Sequence, residues 1–165
     1  MTNTLLLVFP HQLFADHPGL DQNPDEIVFV EDPLFFGDIH HPASFHKQKI
    51  WLHRASMTRF AQKLRDSGRT VEYSNHHVPE GALRSFLARF AAQGGTRVIV
   101  SEPHDFILER RLDRLCERFG LQQKRISTPM FLNGADENQT YRQGKTRWFM
   151  ADFYKHQRKR LDVLM

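Results

Sequence analysis

Cysteine is nearly absent, since Cys116 is the single thiol in a sequence of 165 residues. One thiol excludes an intrachain disulfide framework and any iron–sulfur cluster that needs four thiolates, and it is typical of a reducing compartment. Long apolar runs are also lacking: the run from Leu5 to Phe9 is too short to cross a bilayer or to form the core of a signal peptide. We therefore expect a cytoplasmic protein with no membrane partner.

Several recognisable catalytic and cofactor motifs are missing as well. No glycine-rich fingerprint follows the first apolar run, where Pro10-His11 stands instead, so NAD is not expected. Ser101 ends a predicted strand without the glycine turn of a nucleophile elbow. Histidines crowd one region beside Asp38, but their spacing defines no metal-binding pair; they are His40, His41, His46 and His53.

Acidic residues are scarce in the last quarter of the chain. From Arg142 to Arg160 there are seven Lys or Arg residues and one acid, Asp152, within a net charge of +4 for the whole chain. A basic helix carrying aromatic rings favours a partner, either nucleic acid or another protein domain. The alternative is a terminal helix that packs its rings on its own core and keeps its charges in water. The candidate interface residues are Arg147, Trp148, Phe153, Tyr154, Arg158, Lys159 and Arg160.

What is present is typical of an α/β fold. The chain is 40% apolar, and its short apolar runs are not interrupted by polar alternation, which is how buried parallel strands look. Helical apolar stripes separate them and stop at Gly68, Gly94-Gly95 and Gly120, the last of which suits a left-handed cap. We predict a five-stranded parallel sheet with strands at Leu5 to Phe9, Ile27 to Val30, Val71 to Tyr73, Val98 to Val100 and Lys124 to Ser127.

Polar side chains directly follow the first, second and fourth predicted strands. In open parallel sheets, ligands bind at the carboxyl ends of the strands, so these side chains are binding candidates. Carboxylates there could accept hydrogen bonds from ribose, ribityl or ring N–H groups. The alternative is that they cap helices or pair with Lys47 or Lys49. The candidates at the strand ends are His11, Gln12, Leu13, Glu31, Asp32 and Glu102.

Several segments, in order along the chain, resemble one known family. The whole combination is similar to the deoxyribodipyrimidine photolyase-related branch of the photolyase/cryptochrome superfamily, and it corresponds to the N-terminal third of that family. The segments are Glu31, the run from Phe45 to Ile50, Ala55-Ser56-Met57, Glu102-Pro103, Phe131-Leu132, the run from Met150 to Tyr154, and Arg158-Lys159-Arg160.

The resemblance implies a Rossmann-like three-layer α/β antenna domain over residues 1–144. It also implies a basic aromatic helix over residues 145–165 that leads toward a C-terminal FAD-binding helical domain of the same polypeptide. In the family, the N-terminal domain can hold 6,7-dimethyl-8-ribityllumazine, which passes excitation energy to FAD. The helical domain carries FAD, an iron–sulfur cluster and the DNA-binding surface. This chain alone would then not be catalytic, while the intact protein would be a light-driven DNA photolyase that repairs (6-4) photoproducts.

Individual positions carry over from the family pattern to the antenna pocket. Gln12-Leu13, Glu31 and His46-Lys47 match family positions, whereas Pro10-His11 replace the family's frequent Gly-Asp and remove a carboxylate from the pocket wall. A ring could also stack on Phe35. The alternatives to a lumazine antenna are another chromophore, a stand-alone nucleic-acid-binding module and a small nucleotide-binding regulatory module.

Overall fold

The computed structural model describes residues 3–38, 40–41, 44–76 and 81–163. Its strands form one parallel sheet in the order β3-β2-β1-β4-β5. The predicted α/β fold with a five-stranded parallel sheet is therefore confirmed. The strands are β1 (Asn3–Val8), β2 (Glu26–Val30), β3 (Val71–Ser74), β4 (Gly95–Ser101) and β5 (Gln122–Ile126).

Helices cover both faces of this sheet. One apolar cluster joins the sheet to α2, and a second joins its other face to α3 and α4, which gives the predicted three layers. The helices of the described chain are α1 (Pro33–Phe36), α2 (Lys47–Asp66), α3 (Ala82–Ala92), α4 (Phe106–Phe119), α5 (Ala135–Arg142) and α6 (Met150–Leu161). None of them is both long enough and apolar enough to cross a bilayer.

The central strand shows why its sequence is continuously apolar. Leu5 and Leu7 point to the α3/α4 side, while Leu6 and Val8 point to the α2 side, and all four are fully buried. Because β1 lies between β2 and β4 and both its faces are covered, these four positions do not meet water.

The connection from β1 to β2 contains a 3-10 turn at Leu20–Gln22 in place of a crossover helix. Its far end is fixed by Asp25, whose carboxylate accepts hydrogen bonds of 2.7 Å from both the amide and the hydroxyl of Thr4. At its middle, the Nδ1 atom of His17 accepts a hydrogen bond of 3.0 Å from the amide of Gly19. These local bonds replace the helical hydrogen bonds that this polar, turn-rich segment does not make.

Helix α4 ends where the sequence predicts. Gly120 follows it in a left-handed conformation with φ of 64°, and the amide of Leu121 donates to the carbonyl of Cys116. Glycine adopts this conformation without the steric penalty that a Cβ atom brings.

The chain forms two compact units, residues 1–129 with the sheet and residues 130–165 with α5 and α6. The sequence predicts the boundary between residues 144 and 145, whereas the structure groups α5 with the terminal segment. Helix α6 begins at Met150, later than the predicted start at Lys145, and Phe149 precedes it in an extended conformation. Phe149 and Phe153 therefore do not share a helical face.

Candidate functional site

The strand order places a switch point at the carboxyl end of β1. The chain runs outward from β1 to β2 and β3, and then returns to the other side of β1 to form β4 and β5. Ligands of open parallel sheets bind where the strand order reverses, so the residues that follow β1, β2 and β4 define the candidate site.

His11 and Gln12 join the ends of β1 and β4. The Nε2 atom of His11 donates to the carbonyl of Pro103 at 2.9 Å, and the Nε2 atom of Gln12 donates to the carbonyl of Ser101 at 2.8 Å. The side-chain carbonyl oxygen of Gln12 accepts from the backbone amide of Phe9 at 3.4 Å, and the whole Gln12 side chain is buried. Both ends of the Gln12 amide are thus used by the protein itself, and Gln12 acts as a cross-strand tie.

Glu31 organises the end of β2. Arg54 from α2 binds its carboxylate through two parallel hydrogen bonds of 2.9 Å, the Tyr73 hydroxyl donates at 2.9 Å, and the amide of His76 donates at 3.1 Å. Burial acts to raise the pKa of Glu31, but these donors outweigh it and the pKa is lowered. With four donors from its own chain, the carboxylate holds β2, β3 and α2 together.

A second buried carboxylate lies on the other face of the sheet. Asp32 accepts from the amide of Leu34 at 3.0 Å and so caps α1, and it forms an ion pair with Arg111 of α4. Arg111 also binds Asp38 at 2.5 Å. The Oδ2 atom of Asp32 is buried and has no hydrogen-bond partner among the described residues. Burial raises the pKa of Asp32, and the charge of Arg111 opposes that rise.

Aromatic and imidazole rings line this edge of the sheet. The His11 ring lies 5.0 Å from Phe35, Phe35 lies 6.4 Å from His53, and Phe36 lies 5.9 Å from His53 and 6.1 Å from His76, measured between ring centroids. Each imidazole has a buried nitrogen without a partner in the described chain, namely Nδ1 of His11, Nε2 of His53 and Nδ1 of His76.

Burial disfavours the protonated form of two of these imidazoles. Desolvation lowers the pKa of His11, although the hydrogen bond to Pro103 and the charge of Asp105 oppose it. Desolvation also lowers the pKa of His53, with a further contribution from the charge of Lys49. Neutral imidazoles can each donate one hydrogen bond and accept another, which suits the recognition of a polar ring.

The remaining predicted site residues lie farther out. Leu13 packs on the α2-side core, and Glu102 follows β4, where its carboxylate lies 3.7 Å from the His104 ring. His46 caps α2 by accepting from the amide of Gln48 at 3.2 Å, and Lys47 lies on the exposed first turn of that helix. The structure thus brings His11, Gln12, Glu31, Asp32 and Phe35 to the strand ends and leaves His46 and Lys47 at the surface.

Sequence reasoning missed Arg54, Arg111 and Tyr73. The alternative to ligand binding paired the strand-end acids with Lys47 or Lys49, but Arg54 pairs with Glu31 and Arg111 pairs with Asp32. The available signal was indirect, because a carboxylate that ends a buried strand needs a cation or donor within reach.

The terminal unit has its own small aromatic cluster. Tyr141 contacts Trp148, Phe153 and His156 at centroid distances of 6.5, 5.0 and 4.8 Å. Trp148 stacks on Phe153 at 6.3 Å but remains 53% exposed.

The predicted interface residues of this unit differ in how far they contact other residues of the unit. Arg160 donates to Glu137 and Asn133, both at 2.7 Å, so it stabilises the unit from within. Arg158 lies over the Tyr154 ring, and Tyr154 and Lys159 are exposed, as is Arg147. Although Arg160 is bound within the unit, the unit still has an exposed surface of aromatic rings and cations.

Comparison with known proteins assigns the family. The model of the deoxyribodipyrimidine photolyase-related proteins matches residues 6–165. This chain belongs to that family. The chain is also 27% identical over 168 aligned residues to a (6-4) photolyase of Agrobacterium fabrum. This alignment covers 98% of this chain and 32% of the photolyase.

A second relative is much shorter. An uncharacterised protein of Acanthamoeba polyphaga mimivirus is 26% identical over 168 aligned residues, which cover 98% of this chain and 84% of the viral protein. The photolyase-related chain therefore spans about a third of one relative and most of the other.

Proposed function

We propose that this chain is the antenna-chromophore domain of a photolyase-related flavoprotein that acts in light-driven repair of (6-4) photoproducts in DNA. The observation that carries the proposal is the strand edge, where buried imidazole and carboxylate atoms that have no partner among the described residues lie beside aromatic rings. The alignment of nearly the whole chain with part of a (6-4) photolyase supports it.

The residues at the strand edge fit a bound ring system. An unpartnered buried polar atom costs about 1–3 kcal/mol, so His11, His53, His76 and Asp32 gain from a ligand that meets them. Phe35 offers a ring face for stacking. Glu31 and Gln12 shape the wall through bonds within the protein. A bound lumazine would supply light absorption and energy transfer, while these residues would orient it and keep water from its ring.

The flavin and the cluster belong elsewhere in this proposal. The single Cys116 lies buried in α4 and cannot supply four thiolates. FAD, the iron–sulfur cluster and the DNA contact are assigned to a helical domain of the intact protein.

Fluorescence titration tests the antenna assignment directly. The purified 165-residue chain is titrated with 6,7-dimethyl-8-ribityllumazine, and saturable binding with a change in lumazine emission is expected. His53→Phe keeps an aromatic ring while removing one polar partner, and it should weaken binding. Arg59→Gln, a change at an exposed position of α2, serves as the matched control. The absence of saturable binding by the unaltered chain would remove the antenna function.

Nucleic-acid binding by the terminal unit is a second candidate function. The exposed rings of Trp148 and Tyr154 beside Lys159 and Arg158 favour it, because rings can stack on bases while cations neutralise phosphates. Affinity for a fluorescent oligonucleotide should then fall steeply with salt concentration. A salt-independent affinity excludes this second function.

A further inference from the structure

We propose that the outer face of helix α2 binds the backbone of a single-stranded nucleic acid, with one base stacked on Trp51. This surface is separate from the strand-edge site and from the terminal unit, and it does not depend on the antenna function. Its centre is a row of exposed side chains spaced four residues apart, which we call the α2 ridge: Lys47, Trp51, Ala55, Arg59 and Lys63.

The α2 ridge faces solvent because another side of the helix packs on the sheet. Met57, Ala61 and Leu64 form the buried stripe of α2, whereas every member of the ridge is exposed, Trp51 at 71%. Side chains four residues apart lie on one side of a helix, with steps of about 6 Å along its axis. The ridge is therefore a continuous row rather than a set of scattered surface residues.

A groove with a volume of about 1010 Å³ lies beside the ridge. Its lining on α2 extends from Trp51 to Asp66, a length of about 22 Å at the helical rise per residue, and Leu13 contributes from the connection between β1 and β2. Ala55 lies between the Trp51 ring and the Arg59 guanidinium in the order of the ridge, and its single methyl group leaves room between them. The groove thus offers an exposed ring, a gap and then two cations.

The cations of α2 are only partly used by the protein itself. The helix has six Lys or Arg residues and one acid, Asp66. Arg54 is paired with Glu31. The side chains of Arg59 and Lys63, in contrast, form no ion pair among the described residues. These two cations are available to an anionic partner.

The placement of the cations is unfavourable for a helix in water. Lys47 and Lys49 lie in the first turn, where the positive end of the helix dipole disfavours cations, and that turn has no acid. Arg59 and Lys63 are like charges four residues apart and repel each other. Helices α4 and α5 instead have acids in their first turns. Bound phosphates would relieve both effects on α2, because each cation would then face an anion.

Charge also decides which partner fits. The terminal unit is basic, with seven cations and one acid from Arg142 to Arg160, and the same ridge on a second copy would oppose cations to cations. Both of these occupants are disfavoured. A nucleic acid supplies regularly spaced phosphates, and every base has a face that can stack on an exposed indole. In a duplex the base faces stack on one another, so a single strand is the form that can reach Trp51.

The fluorescence of Trp51 tests this surface. The sequence has two tryptophans, so Trp148→Phe leaves Trp51 as the only one. In this variant, an oligothymidylate of about ten nucleotides should quench the emission saturably, because a base stacks on the indole. A duplex of the same length should quench it less. Unchanged Trp51 emission overturns the inference, even where the oligonucleotide binds to the terminal unit.

Variants locate the binding surface. By anisotropy of a labelled oligothymidylate, Trp51→Ala should weaken binding about tenfold, the effect of one stacked base. Lys63→Gln should reduce the slope of log affinity against log salt concentration by about 0.7. Arg114→Gln removes the same charge from an exposed position of α4, on the other face of the sheet, and should leave the slope unchanged. An equal reduction by Arg114→Gln contradicts the α2 surface. Circular dichroism checks that each variant is folded.

Two comparisons separate this surface from other partners and sites. Polyglutamate of the same charge should bind at least about tenfold more weakly than the oligothymidylate, since it offers no ring to Trp51. Equal affinity would assign the surface to acidic protein segments and overturn the inference. Arg59→Gln should weaken oligothymidylate binding while the lumazine titration stays unchanged, so failure here leaves the antenna function standing. Lys159→Gln, in the terminal unit, should not alter the quenching of Trp51, and loss of quenching in that variant would contradict the assignment.

Discussion

Arg54 and Glu31 join helix α2 to the end of strand β2 through two parallel hydrogen bonds, each 2.9 Å long. The Glu31 side chain is 1% exposed and the Arg54 side chain 41%. Because water screens Arg54, the ion pair contributes less to the free energy of unfolding than a fully buried pair would. Removal of Arg54 nevertheless leaves a buried carboxylate without its cation.

Arg54→Met should lower the free energy of unfolding by about 1–3 kcal/mol, because Glu31 then keeps only its neutral donors. Urea denaturation measures this. The double variant Arg54→Met/Glu31→Gln removes both charges and should lose less stability than the two single variants add up to. Simple additivity would show that the two residues are not coupled. Arg59→Met, on the exposed side of the same helix, should change stability little.

Buried His17 should make stability depend on pH. Burial lowers its pKa from 6.5 to about 4, so the folded protein holds it neutral while the unfolded chain binds a proton. The stability that neutral His17 contributes to the folded protein is fully present above pH 6.5, and it is lost as the pH falls toward 4. His17→Asn can still accept from the Gly19 amide but does not titrate in this range. The variant should lose up to about 3 kcal/mol less than the unaltered chain on acidification. Parallel pH profiles from urea denaturation would contradict this.

Cys116 should be chemically inert in the folded protein. Its thiol is buried in the α3/α4 core, and burial raises its pKa to about 11. Since the thiolate is the reactive form, a thiol reagent at pH 8 should react at least about a hundredfold more slowly than with free glutathione. Addition of urea should release one reactive thiol per chain. Rapid reaction without urea would mean that α4 does not protect the thiol.

Arg160 should determine how firmly the terminal unit is held together. Besides Glu137 and Asn133, it reaches the carbonyl of Leu132 at 3.3 Å and Gln157 at 3.0 Å. Arg160→Lys keeps the charge but loses the planar fork, so amides of α5 should exchange hydrogen faster, while those of β1 should not change. Lys159→Met is the matched control on α6. Unchanged exchange in α5 would indicate that these contacts do not restrain the unit.

The fold is predictable from sequence to the extent that burial decides it. The run from Leu5 to Phe9 is apolar at every position because both faces of β1 are covered, and Gly120 marks the end of α4 because the backbone there is left-handed. Such signals are local. The start of α6 depends on contacts beyond its local sequence. Trp148 contacts Tyr141 and Phe153, and the chain is not yet helical at Phe149.

Only part of the candidate site is predictable from the sequence. Strand ends indicate that Glu31 and Asp32 lie at the ligand edge, and their position predicts that they need partners. Which partners they have depends on tertiary packing: Arg54 lies 23 residues from Glu31 and Arg111 lies 79 residues from Asp32. No pattern in the sequence links positions so far apart, so the residues that hold the edge together were found only in the fold.

The strand order also leaves β3 and β5 at the two margins of the sheet. Strand β5 carries Lys124 and Arg125, and strand β3 has four residues. Pairing two copies margin to margin through β5 would bring like charges together, and so short a strand as β3 offers few backbone groups to a foreign chain. Both margins therefore oppose fibril growth and intermolecular strand addition, which favours a chain that remains dispersed at the concentrations that titration requires.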